Sequence, residues 1–168
     1  MTTFDEIKIN PLTPKQWPEF MRIRLYPDQQ RFVPSPEKIR SQFIFERTGK
    51  KPPFEIFVIE LDNQMAGFFT LVKDVDDYLW FGGFQIDVAF QKAGIGRAVF
   101  ERLFAFVAKS PEYAGISLNV QYSNKTVLRF YQRMGLTQVA MMKPADEPLW
   151  LMKISRENIM QMVDRKKA

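Results

Sequence analysis

Gly94 and Gly96 stand between the cations Lys92 and Arg97 in Gln91-Lys92-Ala93-Gly94-Ile95-Gly96-Arg97, just ahead of Val99, Phe100, Leu103 and Phe104 at helical spacing. That pattern reads as a turn that opens a helix. The first amide hydrogens of a helix have no partner inside it, and the macrodipole adds partial positive charge there. Gly94 and Gly96 leave the backbone uncovered and tolerate positive φ, while Lys92 and Arg97 add mobile charge, so a pyrophosphate is the guest this loop suits. The same turn serves equally well as a tight strand-to-helix connection. It matches neither a P-loop, which needs Gly-Lys-Ser/Thr, nor the full three-glycine dinucleotide fingerprint.

The chain contains no cysteine and no histidine. Thiol nucleophiles, disulfides, zinc–thiolate sites and imidazole bases are therefore excluded, and no metal is expected. Proton transfer must run through carboxylates, tyrosine, lysine, water or backbone. The net charge of +5 is dispersed, and the one dense run, Arg165-Lys166-Lys167, reads as a solvated tail, so no nucleic-acid partner is expected. The opening Met1-Thr2-Thr3-Phe4-Asp5-Glu6 carries no basic segment before an apolar core, and no stretch approaches the ~18 apolar residues of a membrane span. A cytoplasmic protein without a membrane partner is expected.

The elements that must position the loop follow from periodicity and punctuation. With 168 residues and 46% hydrophobic composition, one domain over 1–168 is expected. Ile7–Ile9 is a short strand. Thr13 caps a helix entered at Pro14 and continued by Trp17, Phe20, Met21, Arg24 and Leu25 up to Pro27-Asp28. After a proline-rich connection, Ser35 caps a second helix running to about Thr48 and stopped by Gly49. Phe54–Glu60 and Met65–Val72 form a hairpin across Asp62-Asn63-Gln64. Tyr78–Phe90 is a long strand interrupted by Gly82-Gly83, which marks a bulge or a close approach by another group. A helix over 94–109, a strand over 116–121, a helix from Asn124 to Met134 closed by Gly135, strands near Thr137–Met142 and Leu149–Ile154, and a terminal helix from Arg156 to Lys167 complete the order. Such an order calls for an α/β (α+β) fold, a central mixed sheet flanked by helices.

Gln-x-x-Gly-x-Gly at Gln91–Gly96, the strand Ile116–Val120, and Asn124 followed by Phe130-Tyr131 and Gly135-Leu136 together resemble the GCN5-related N-acetyltransferase (GNAT) superfamily. The resemblance implies the acyl-CoA N-acyltransferase fold, acetyl-CoA as cofactor, and direct transfer of its acetyl group to a primary amine. Carried over residue by residue, it implies that Phe84, Ile86, Asp87 and Val88 line the pantetheine arm and thioester. It implies equally that Gln91, Lys92, Ala93, Gly94, Ile95, Gly96 and Arg97 hold the pyrophosphate. Relatives often have Gly-Lys where this chain has Lys92-Ala93, which shifts one positive side chain and leaves the later glycines in place. Asn124 matches an asparagine that hydrogen-bonds the cofactor, and it also suits a helix cap. Tyr131 matches the tyrosine that protonates the departing thiolate; without the resemblance it reads as a half-buried helix aromatic. The backbone amide of Val88 is expected to face the oxyanion. The carboxylate that relatives place near Gly82-Gly83 is missing, so Asp77 and Asp87 remain candidate bases.

Pro27–Val33, with Phe84-Gln85-Ile86-Asp87, resembles bacterial members of the spermine/spermidine acetyltransferase type. That resemblance implies a small-molecule amine, a polyamine, drawn to Asp28, Glu37, Asp74, Asp76 and Asp77, with Tyr26 or Trp80 offering cation-binding faces. The same residues also read as a solvated acidic turn and ordinary aromatics, and a protein or peptide amine remains the alternative acceptor. A homodimer is a further expectation from the resemblance. A non-catalytic acyl-CoA-binding protein would keep the loop and release no thiol. A nucleic-acid-binding module would need a recognition motif that the sequence lacks.

Overall fold

The computed structural model describes residues 6–46, 54–143 and 147–167, and the expected stop at Gly49 lies outside them. Among the described residues the order is β1 (Ile7–Pro11), α1 (Trp17–Phe20), α2 (Pro36–Glu46), β2 (Glu55–Leu61), β3 (Gln64–Lys73), β4 (Tyr78–Ile86), α3 (Ile95–Ala108), β5 (Gly115–Gln121), α4 (Lys125–Arg133), β6 (Thr137–Met142), β7 (Leu149–Ser155) and α5 (Arg156–Lys167). The strands hydrogen-bond in the order β1-β2-β3-β4-β5-β7-β6. The β4–β5 pair is parallel and the β1–β2, β2–β3, β5–β7 and β6–β7 pairs are antiparallel, so the sheet is mixed as expected. No helix of the described residues is long and apolar enough to cross a membrane.

The chain divides into two compact units, Met1–Val72 with Gly82–Val99 and Lys73–Phe81 with Phe100–Ala168, and β4 and α3 pass from one into the other. In the first unit, Asp62 and Asn63 adopt φ of 51° and 61°, the left-handed pair that a two-residue turn between β2 and β3 needs. Ser35 caps α2 through its Oγ, which accepts from the Lys38 amide at 3.2 Å. Phe20, Ile23, Ile39, Ile56, Val58, Met65 and Phe68 form its core, with the Phe20 and Phe68 rings 4.3 Å apart.

Two elements differ from expectation. The helix expected up to Leu25 is one turn long, because beyond Met21-Arg22 the backbone of Arg24 is engaged by Asp87 and Val88. Likewise β4 stops at Ile86 instead of Phe90, since Asp87 caps a short 3₁₀ turn over Val88–Phe90 by accepting from the Ala89 amide at 2.9 Å. Inside β4, Gly83 takes φ 61°, and a methyl added there would lie 3.3 Å from Ile39 Cδ1. The expected interruption is therefore a left-handed residue packed against α2.

In the second unit, β5 pairs with β4 only from Gly115 to Ser117, whereas its whole length pairs with β7. Gly115 is required by packing, since a Cβ would fall 2.1 Å from the Ile154 carbonyl oxygen. Phe100 is fully buried and meets the Phe81 ring at 4.9 Å and the Tyr131 ring at 5.4 Å. The α3 helix ends against Arg156, whose guanidinium donates to the carbonyls of Val107, Ala108 (2.7 Å) and Ser110 (2.8 Å). The Val107 and Ser110 carbonyls also accept the amides of Ser110 and Tyr113, so the guanidinium fills the acceptor capacity left at and just beyond the helix C-terminus, where a cation also meets the negative end of the dipole. Arg156→Ala removes charge-assisted bonds to partly buried carbonyls, and we expect a loss of about 2–3 kcal/mol. Thermal melting would register it as a fall of roughly 5–10 °C; an unchanged melt would show that water replaces the guanidinium without cost.

Candidate active site

The loop that opens α3 has the backbone of an anion cradle. Lys92 and Gly94 take φ of 63° and 80°, so the chain turns twice through left-handed conformations before the helix begins. The first backbone bond of α3 runs from the Ala98 amide to the Gly94 carbonyl at 3.2 Å. Ahead of it, the amides of Lys92, Ala93, Gly94, Ile95 and Gly96 meet no backbone carbonyl among the described residues. Lys92 and Gly94 are exposed, Ala93 and Gly96 half-buried, and Ile95 is buried and anchors the loop to the core. Consecutive donors at the positive end of a 14-residue helix suit a bound phosphate group.

The segment between α1 and α2 is laid against the residues leading into this loop. The Arg24 amide donates to Asp87 Oδ2 at 2.9 Å, and the Val88 amide donates to the Arg24 carbonyl at 2.9 Å. Two sequence-based assignments change as a result. The Val88 N–H, expected to face an oxyanion, is committed to Arg24. Both oxygens of Asp87, a candidate base, accept backbone amides, from Arg24 and from Ala89, so its carboxylate holds the chain path. Gln91 donates through Nε2 to the Ile86 carbonyl at 2.9 Å and pairs with Gln29. Phe84 and Ile86 are half-buried at the end of β4.

A cavity of about 230 Å³ opens beside the same segment, walled by Arg24, Leu25, Val33, Pro34, Glu37 and Gln85 among others. Gln85 is 3% exposed and donates to the Pro34 carbonyl at 2.5 Å, and Glu37 pairs with Arg24 at 3.4 Å on the half-exposed rim. Neither Gln85 nor Arg24 was singled out as a site residue from sequence. The signal available was a lone polar residue at an inward position of β4, next to the glycines.

In the second unit, Tyr131 is 7% exposed and packed between the rings of Phe100 and Phe130. Burial pushes its hydroxyl pKa well above the usual tyrosine value, so it is protonated at any working pH. In the unfolded chain the same phenol ionises near pH ~10. Above that pH the unfolded state binds fewer protons than the native state, so this contribution to stability is complete below pH ~10 and is lost as pH rises. We expect unfolding free energies from urea titrations between pH ~9 and ~11 to fall more steeply for the parent than for Tyr131→Phe, by up to ~1.4 kcal/mol per pH unit. Parallel slopes would mean that the hydroxyl reaches water. Asn124 occupies the N-cap of α4 and makes no side-chain cap hydrogen bond, although Leu128 donates to its carbonyl at 3.0 Å. Its backbone carbonyl thus opens the helix while its side-chain amide makes no cap bond.

The acidic turn is partnered within itself and by neighbouring lysines. Asp76 accepts from Lys153 Nζ at 2.6 Å, which holds its carboxyl below the usual range, and Asp77 pairs with Lys73 at 3.6 Å. Asp74 accepts from the Val75 amide at 2.8 Å. Trp80 is half-buried on β4 in register with Ser117. Tyr26 and Asp28 are exposed in the α1–α2 connection.

The sequence model of the acetyltransferase (GNAT) family matches residues 17–136. No curated protein matches the chain. Among solved structures, the spermidine N-acetyltransferase from Vibrio cholerae in complex with CoA and spermine is similar at TM-score 0.72 and 12% identity, with 92% of this chain and 98% of that chain covered. The ribosomal-protein-S18-alanine N-acetyltransferase from Escherichia coli is similar at TM-score 0.66 and 20% identity, covering 89% and 93%. An acetyl transferase from Salmonella typhimurium that modifies the N-terminal serine of ribosomal protein L7/L12 is similar at TM-score 0.71 and 14% identity, covering 90% and 95%. At these identities the likeness is one of fold.

Proposed function

The chain belongs to the acetyltransferase (GNAT) family, an acetyl-CoA-dependent N-acetyltransferase in fold and activity, and on that premise we propose that its acceptor is the primary amine of a small molecule such as a polyamine. In this reading the amides of Lys92 to Gly96 bind the pyrophosphate of acetyl-CoA, with Gln91 and Arg97 at the two ends of the loop. Phe84, Ile86 and the end of β4 take the pantetheine arm, and Asn124 adds a side-chain amide. The amine lone pair attacks the thioester carbonyl carbon and the carbon–sulfur bond then breaks. The Tyr131 hydroxyl donates a hydrogen bond to the departing sulfur as negative charge develops on it, and the thiolate takes its proton from the water that receives the amine's. The proton lost by the amine leaves through water, because Asp87 is occupied in holding Arg24 and Ala89. The observation that carries the cofactor site is the run of backbone amides ahead of α3 without a backbone acceptor among the described residues.

The cavity beside Gln85 is the acceptor site in this proposal. Its volume suits a small amine, and Glu37 on its rim would take a second cationic group by exchanging its Arg24 partner for it. Asp28 is outside the cavity lining, and Asp76 and Asp77 already have lysine partners. The fold likeness to enzymes acting on ribosomal proteins keeps a peptide amine as the second reading. A panel of spermidine, simple monoamines and peptides with a free N-terminus, assayed with acetyl-CoA by release of free thiol, decides between them. Turnover with spermidine and none with peptides supports the proposal, and the reverse result transfers the acceptor to proteins.

A further inference from the structure

One contact between the α1–α2 connection and the cofactor loop is required by no helix or strand. Gln29 and Gln91, 62 residues apart in sequence, exchange two amide hydrogen bonds: Gln29 Nε2 donates to Gln91 Oε1 at 3.1 Å, and Gln91 Nε2 donates to Gln29 Oε1 at 2.9 Å. Such a reciprocal pair uses a donor and an acceptor of each amide, so neither side chain turns without breaking both bonds. Gln91 also donates to the Ile86 carbonyl, the last residue of β4, and directly precedes Lys92 with its φ of 63°. The loop therefore starts from a residue whose side chain is fixed at one end by β4 and at the other by Gln29.

Gln29 is itself set in place by its own segment. Its Oε1 accepts from the Tyr26 amide at 3.2 Å and its amide donates to the Tyr26 carbonyl at 2.9 Å. The same segment supplies Arg24, Leu25, Gln30, Val33 and Pro34 to the cavity wall. A displacement of the cofactor loop thus reaches the cavity wall through this pair of side chains, alongside the Arg24 backbone bonds to Asp87 and Val88 ahead of the loop.

We propose that Gln29 is a positioning residue that sets the shape of the cofactor loop and ties it to the wall of the acceptor cavity, so that coenzyme A binding orders residues 24–34. The proposal rests on Gln91–Arg97 being the pyrophosphate site. Both glutamines are only half-buried, and Gln29 lies outside the Gln91–Arg97 loop, so its effect is on loop geometry and not on direct contact with the cofactor.

Calorimetry with coenzyme A alone, on the parent, Gln29→Leu and Gln29→Glu, tests it together with amide exchange over residues 24–34. The parent is expected to bind and to show slowed exchange in 24–34 on binding. Gln29→Leu should bind about tenfold more weakly, equivalent to ~1.4 kcal/mol, and slow exchange only near the loop. Gln29→Glu keeps the acceptor for Gln91 Nε2 and loses the donor, so it should fall between the two and provide a folded comparison if the leucine variant is unstable. Adding Gln29→Leu to Gln91→Leu should weaken binding no further, since the two act through each other. If the parent binds and Gln29→Leu binds as tightly with the parent's exchange pattern, the proposal is overturned while the cofactor site stands. A parent that gives no heat with coenzyme A removes the cofactor site and this proposal together.

Discussion

Tyr131→Phe should lower turnover by about 10²-fold, the scale of general acid–base assistance, while acetyl-CoA affinity changes little. The coenzyme thiolate, whose thiol has a pKa of about 8.5, is already a weaker base than tyrosinate, and full proton transfer from a tyrosine of pKa ~10 is uphill by roughly 2 kcal/mol. Burial pushes Tyr131 above that value, which makes complete transfer harder still. The hydroxyl is therefore most useful as a donor aimed at sulfur while negative charge develops, an interaction that gains strength where water is scarce. A dependence on the leaving group follows. With an acetyl thioester whose thiol is more acidic, the loss in Tyr131→Phe should shrink, because less charge on sulfur needs stabilising. Single-turnover rates with both donors make the comparison. An equal loss with both would assign Tyr131 to packing against Phe100, and a rate within about twofold of the parent would remove it from the reaction.

Gly94→Val should abolish most coenzyme A binding without unfolding the protein. Gly94 stands at φ 80°, where a β-branched residue has no comfortable conformation. Holding a non-glycine residue there costs about 1–3 kcal/mol, which corresponds to roughly 5- to 150-fold in affinity if the loop must relax on losing its shape. The relaxed loop no longer directs consecutive amides to one point. Gly94 is exposed, so the substitution leaves the core intact. Calorimetry with coenzyme A, alongside a thermal melt, separates the two effects. Unaltered affinity would mean that the amides of Lys92 to Gly96 do not hold the cofactor.

The order of elements was legible in the sequence because each carries local punctuation. Asp62-Asn63 supplied the left-handed turn, Ser35-Pro36 opened α2, and Asn124 with Gly135 bracketed α4, where Gly135 takes φ 100°. The Gln91–Gly96 loop was legible for the same reason: glycine spacing ahead of an apolar helix is a local signal. What escaped was long-range. Trp17, Phe20, Met21, Arg24 and Leu25 keep helical spacing, yet the helix ends early because Asp87 and Val88, more than sixty residues away, bind the Arg24 backbone. The end of β4 escaped for a related reason, since an aspartate side chain claimed the next amides. Periodicity also says nothing about the Gln29–Gln91 pair or about the closure of a cavity around Gln85, because both need two distant segments to meet.

The Arg156 guanidinium has a consequence for synthesis on the ribosome. The carbonyls it satisfies at the end of α3 precede it by 46 to 49 residues. At ~5–20 residues per second, a nascent chain waits roughly 2–10 s between finishing that helix and acquiring the residue that closes it. During that interval local amides already reach the Val107 and Ser110 carbonyls, but the Ala108 carbonyl and the remaining acceptor positions face water, so the end of α3 stays short of its cation until Arg156 is made.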